Sequence, residues 1–285
     1  MKRIIISMLI SFSIISCTKN TSNEIATPQE VQTELSSYQD LITELDTYNS
    51  ELGIETRAGG FWRRLGRVAL ADCTGYICGS YLGPGGGFLF GIFSSVIAVV
   101  IEITTYHTRS GYLNVDLSHD RLYEPIGLTN LEACDYVGNI HNQVIEEIYA
   151  ENPDCFETFT EQQWINAISQ KISMMFLMSE VTDITPNINE AHEINDIIMA
   201  PENDLDAAFE EIKVKMPDRT NELEVVLIYC KSLNSIDDNE GVINYTQGFR
   251  DIVVNSNIDE DSKQFVQSAI SVAGNSQLLW SECIE

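Results

Sequence analysis

From residue 71 to residue 95 the chain places a small residue at every fourth position: Ala71, Gly75, Gly79, Gly83, Gly87, Gly91 and Ser95. The stripe runs through residues 73–101, a stretch of 29 residues without a charge. Residues four apart share one face of a helix, so the stripe predicts a smooth groove there. Glycine inside a helix costs up to about 1 kcal/mol relative to alanine. Five in register need an offset, and the one that glycine permits is another backbone lying very close. Pro84, among Gly83, Gly85, Gly86 and Gly87, breaks the run. The expectation is a helical hairpin within 61–105, with arms at 66–82 and 88–105 and a turn at 83–87.

Each arm would be about 16 residues or 24 Å long, short of a hydrocarbon core of about 30 Å. Asp72, Thr74 and Ser80 also interrupt the first arm. Just before it, "RAGGFWRRLGR" gathers Arg57, Phe61, Trp62, Arg63, Arg64 and Arg67, the one dense positive cluster in an acidic chain. Two readings stand open. In one, the arginines pair with neighbouring acids and the hairpin is the buried centre of a helical domain. In the other, the cluster is an interfacial anchor and the hairpin inserts into a membrane or self-associates.

The first residues speak to location. Lys2 and Arg3 precede "IIISMLISFSIIS" (4–16), an apolar segment too short to span a membrane and of the length of a secretory signal. It ends in "IISC", which resembles the lipobox of bacterial lipoproteins. The resemblance implies cleavage before Cys17, diacylglycerol on its sulfur and an acyl chain on its amino group, so that Cys17 would hold the protein to a lipid bilayer. Thr18 stands where an acidic residue would retain a lipoprotein at the inner membrane, which favours the outer membrane.

Loss of residues 1–16 leaves 14 basic against 43 acidic residues, a formal −29. That charge repels nucleic acid and anionic lipid, so nucleic-acid binding is excluded. The acids are scattered in twos and threes, as on solvated helix faces. Six cysteines remain beside Cys17: Cys73, Cys78, Cys134, Cys155, Cys230 and Cys283. They allow 15 complete pairings. Cys73 and Cys78 on one helix are too far apart to bridge, and free core thiols are as plausible as bonds.

Residues 17–30 read as a polar tether and 31–285 as a single all-α domain. Apolar residues at steps of three and four predict a helix from Val31 to Leu52. Residues 106–130 are irregular, with "YLNVDL" (112–117) alternating like one short strand. From 131 on, helices are expected near 131–150, 161–181, 188–200, 203–216, 219–234, 239–255 and 260–275. Thr160 with Gln163 forms a capping box, and Pro153, Pro186, Pro201 and Pro217 punctuate the series.

The segments "ALADCTGYICG" (69–79), "YVGNIHNQVI" (136–145) and "SVAGNSQLLW" (271–280) resemble those of uncharacterised bacterial glycine-zipper lipoproteins. That group has no assigned activity, so the resemblance implies no functional residue. Glycine zippers also occur in bacteriocin-like and pore-forming peptides, a likeness that covers about 35 residues here.

Catalytic motifs are missing. No lysine follows "GPGGG" as a phosphate loop requires, and neither HExxH nor GxSxG occurs. "IDDNEGVINYTQ" (236–247) puts Gly241 at the sixth place of a calcium loop. Ile236 and Gln247 occupy the first and last places, where Asp and Glu are needed, so it is rejected. His107 and His119, near Asp116 and Asp120, have the residue types of a metal site but read as polar loop residues. His192 stands apart from them, and His141 reads as a hydrogen-bonded packing residue. The expectation is a non-enzymatic envelope lipoprotein, without cofactor or metal, that binds a protein or peptide or serves structurally. The alternative is a membrane-active or self-assembling protein.

Overall fold

A computed structural model of the chain describes residues 28–54, 60–80, 91–100, 135–176, 193, 196–197, 205–236 and 238–283. They form an all-α fold, without a strand among the described residues. The helices are α1 (Pro28–Glu51), α2 (Gly60–Ser80), α3 (91–100), α4 (Asp135–Glu151), the single turn α5 (Cys155–Thr158), α6 (Glu161–Phe176), α7 (Leu205–Lys215), α8 (Thr220–Leu233), α9 (Asn239–Asn255) and α10 (Glu260–Cys283). The short strand expected at 112–117 and the helix centre expected at 188–200 lie largely or wholly outside the described residues.

Helix α10 is the axis. It packs against α2, α4, α8 and α9, and every residue from Val266 to Gln277 is buried. A helix buried on all sides ordinarily reads as apolar all round. This one reads "VQSAISVAGNSQ", half of it small residues and much of it polar. The same holds for residues 68–75 of α2 and 91–96 of α3, where Asp72, Thr74, Ser94 and Ser95 are fully buried among Val, Ala, Ile and Phe. Small residues let these helices approach closely, and across the approaches Ser95 bonds Asp72 and Ser271 bonds Gly138 N.

Two departures from the periodicity follow from this interior. Helix α10 runs to Cys283, well beyond the expected end near 275. Gly274, Asn275 and Ser276 carry stop signals for an isolated helix, but burial against α2 and α4 keeps them helical. Helix α2 begins at Gly60, six residues before the expected arm.

Around the axis the elements follow ordinary amphipathic rules. Helix α1 buries Tyr38, Leu41 and Leu45 against α8 and α9. Tyr48 extends that face by stacking on Tyr245, which stacks in turn on Tyr229, with ring centroids 5.7 and 5.6 Å apart. Thr160 and Gln163 form the expected capping box at the start of α6: the Gln163 side chain accepts from Thr160 N at 2.8 Å, and Gln163 N donates to Thr160 Oγ1 at 3.4 Å. Asp238 caps α9 by accepting from Gly241 N at 2.7 Å, so the rejected calcium-loop segment is a helix start. Lys171, almost wholly buried, ties α6 to α4 through Glu151 at 2.6 Å and Glu147 at 3.2 Å. Lys213 with Glu224, and Lys231 with Asp206, tie α7 to α8. Among the described residues no helix is long and apolar enough to cross a membrane.

Candidate functional site

The stripe lies in the core wherever it is described: Ala71, Gly75, Gly79, Gly91 and Ser95 are all buried. Gly83 and Gly87 lie outside the described residues. The two helical arms meet at Gly91, where an added Cβ would stand 3.3 Å from both Asp72 O and Tyr76 Cβ. The second arm thus presents a glycine to the backbone of the first, the close approach that the spacing predicts, although glycine there meets Asp72 and Tyr76 rather than another glycine. A still closer approach joins α4 to α10. A Cβ on Gly138 would stand 2.1 Å from Ser271 O.

These approaches converge on a buried polar cluster drawn from four helices. Ser95 (α3) donates to Asp72 Oδ2 (α2) at 3.0 Å, and the Trp280 indole (α10) donates to Ser95 Oγ at 3.2 Å. On the other side His141 (α4) places Nε2 3.7 Å from Asp72 Oδ2. His141 Nδ1 meets Asn142 Oδ1 at 3.0 Å, and Asn142 Nδ2 donates to Asn275 O (α10) at 2.8 Å. Ser271 Oγ accepts from Gly138 N at 3.1 Å. That bond ties the first turn of α4 to α10.

Burial sets the charge state. Desolvation pushes the Asp72 carboxyl well above the usual carboxylate range, against smaller opposing contributions from Ser276 and Ser95. Ser276 Oγ faces that carboxyl outside good hydrogen-bond geometry. Desolvation lowers His141 to about 4, against weaker pulls from Asn142 and the Gly91 backbone. Both shifts favour the neutral form, since an unsolvated charge in a core is expensive.

Serine, aspartate and histidine occur together here, but not in nucleophilic order. The Ser95 hydroxyl donates to Asp72 instead of to His141, so no base draws a proton from it. Asp72, Ser95, His141 and Trp280 are each at most 1% exposed. The cluster is built to fix four helices in register, because each bond would leave a buried group unpaired if one helix slipped.

The remaining sequence candidates fall elsewhere. Arg67 is partly buried on α2. Phe61, Trp62, Arg63 and Arg64 fall within α2, but their side chains, like Arg57 and the acylation candidate Cys17, lie outside the described residues. His107, His119, Asp116, Asp120 and His192 do so as well. No group of three or more potential metal ligands occurs among the described residues. Cys155 and Cys230 are buried free thiols, Cys155 with its pKa pushed up to about 12 chiefly by desolvation. Cys73 is buried on α2.

The three segments that carry the glycine-zipper resemblance, around Asp72, His141 and Asn275, are the ones the cluster joins. Ser95 and Trp280 complete it. Comparison with protein-family models, curated proteins and solved structures finds no match.

Proposed function

We propose that this chain is a lipid-anchored protein of the bacterial cell envelope whose helical domain has a non-enzymatic role, binding a protein or peptide or serving structurally. The observation that carries the proposal is "IISC" at 14–17, with its basic and apolar lead. Acylation of Cys17 by two or more chains would hold the domain firmly, where a single chain holds marginally. Thr18 directs the anchor to the outer membrane. The tether, which ends where α1 begins at Pro28, then sets a strongly acidic domain off a surface that it does not bind electrostatically.

Support for a non-enzymatic role comes from the cluster, whose titratable groups are sealed from solvent and whose serine faces the wrong partner. Burial of Ala71, Gly75, Gly79, Gly91 and Ser95 within one core weighs against the alternative, in which the hairpin leaves the fold to enter a membrane. That alternative requires α2 and α3 to carry Asp72 and Ser95 away from His141 and Trp280 together.

Metabolic labelling with an alkyne fatty acid tests the anchor. The parent should incorporate label and sediment with the outer membrane, and Cys17→Ser should do neither. Label that persisted in Cys17→Ser would refute the anchor. Liposome binding by the unacylated domain would favour the membrane-active reading.

A further inference from the structure

The cluster fixes a proton count. Asn142 donates from Nδ2 to Asn275 O, so its Oδ1 is the atom that faces His141 Nδ1. An amide oxygen only accepts, so Nδ1 carries the ring hydrogen and Nε2 presents a lone pair. That lone pair faces Asp72 Oδ2 3.7 Å away, with neither side chain more than 1% exposed. A lone pair and a carboxylate are two acceptors across a sealed gap, and a single proton satisfies the pair whichever group holds it. Among the described residues the groups shown to face the pair are uncharged, the Gly91 carbonyl of α3 beside His141 included. Helix α6 meets α4 through Lys171, which is paired with Glu147 and Glu151. Helix α3 contributes the Ser95 hydroxyl, α10 the Ser276 hydroxyl and the Trp280 indole, and α4 the Asn142 amide beside His141 itself. Helix α8 meets α2 beside Cys73 through Tyr229, held neutral chiefly by desolvation, next to Cys230.

We propose that Asp72 and His141 form a one-proton latch, in which the junction of α2, α3, α4 and α10 closes around a single proton and loosens when alkaline solution removes it. Deprotonation leaves an uncompensated carboxylate at the contact of the glycine hairpin with α10, and hydrating it requires the arms to part.

The pH window follows from the directions of the two shifts. In the unfolded chain Asp72 and His141 titrate at their ordinary values, 3.8 and 6.5. Between these values the unfolded pair holds one proton, on the ring, and the folded pair holds one, on the carboxyl. The loss of stability with rising pH due to Asp72 is there cancelled by the gain due to His141. Above 6.5 the unfolded pair holds none and the folded pair still holds one. Folding then takes up a proton, and the folding constant falls about tenfold per pH unit until the folded pair itself ionises.

Urea unfolding of the full chain across pH 4.5 to 9 tests this in the parent, Asp72→Asn and His141→Gln. The other acidic groups are common to all three, so differences between the proteins isolate the pair. Asparagine at 72 donates an amide hydrogen to Nε2 without needing a proton. Relative to the parent, the folding constant of Asp72→Asn should rise about tenfold from pH 7 to 8. Glutamine at 141 removes the cancelling group, so His141→Gln should lose about tenfold per unit relative to the parent between pH 4.5 and 6.5. A purely structural role would displace each curve by a constant. Differences from the parent that stay constant with pH in both windows overturn the latch. If Asp72→Asn does not fold, the His141→Gln window decides alone.

Discussion

Replacing Gly138 with alanine should be among the most damaging single-methyl additions in this protein. The added Cβ would lie 2.1 Å from Ser271 O, 2.4 Å from Asn275 Nδ2 and 2.6 Å from Ser271 C. Ordinary contact begins at 3.4 Å, so the shortfall against Ser271 O is 1.3 Å. Two of the three atoms are backbone of α10, and no rotamer change relieves them. Helices α4 and α10 must separate by about an ångström. That separation stretches Gly138 N to Ser271 Oγ, now 3.1 Å, and Asn142 Nδ2 to Asn275 O, now 2.8 Å. Overpacking costs about 1–3 kcal/mol, and each buried polar group left unpaired costs about 1–3 more. Against these stands a gain of about 1 kcal/mol in helix propensity. The net loss is about 4 kcal/mol, a large share of the roughly 5–15 kcal/mol that holds a typical domain folded. At about 2–4 °C per kcal/mol for a chain of this size, Tm should fall by roughly 8–16 °C in a far-UV circular dichroism melt. Gly91→Ala is the control. Its Cβ meets Asp72 O and Tyr76 Cβ at 3.3 Å, so a shift of a few tenths of an ångström accommodates it. That change should cost under about 1 kcal/mol once propensity is credited. A Gly138→Ala melt within about 2 °C of the parent, or a larger loss at Gly91, would refute the close-approach reasoning.

Ser95→Ala removes the acceptor of the Trp280 indole and a donor to Asp72, and should cost about 1–3 kcal/mol in urea unfolding; a neutral result would mean that the cluster does not hold α3 to α10. Asp238→Ala deletes the α9 cap and should cost about 1 kcal/mol, largely restored by Asp238→Asn, and no loss would show the cap to be dispensable.

The helices and the close approach of the two arms were legible because both rest on local spacing. Tyr38, Leu41 and Leu45 repeat at three and four, and Thr160 with Gln163 announces a helix start. The polar interior was not legible. Asp72 reads along the chain as a flaw in an apolar arm, and His141 as a hydrogen-bonded packing residue with no sign of a carboxyl opposite it. Their partners lie across the fold: Ser95 is 23 residues from Asp72, Ser271 is 133 from Gly138, and Trp280 is 185 from Ser95. Helix α10 misleads for the same reason. A helix enclosed on all sides has no wet face, so it lacks the alternation by which helices are found, and Gly274 to Ser276 imitate an end. Asn142 beside Asn275, each useless alone in a core, make sense only as a bonded pair.

The helix on which α2, α4, α8 and α9 all lean comes after every one of them in the chain. A growing chain that has not reached residue 260 possesses the glycine arms and the His141 helix but nothing for them to close around. Asp72, Ser95 and His141 then stay wet, where water pairs them at no cost. The interior is therefore expected to close only once α10 is available, from contacts of long sequence separation that form slowly. Order of synthesis alone thus postpones the closing of the core until α10 is made.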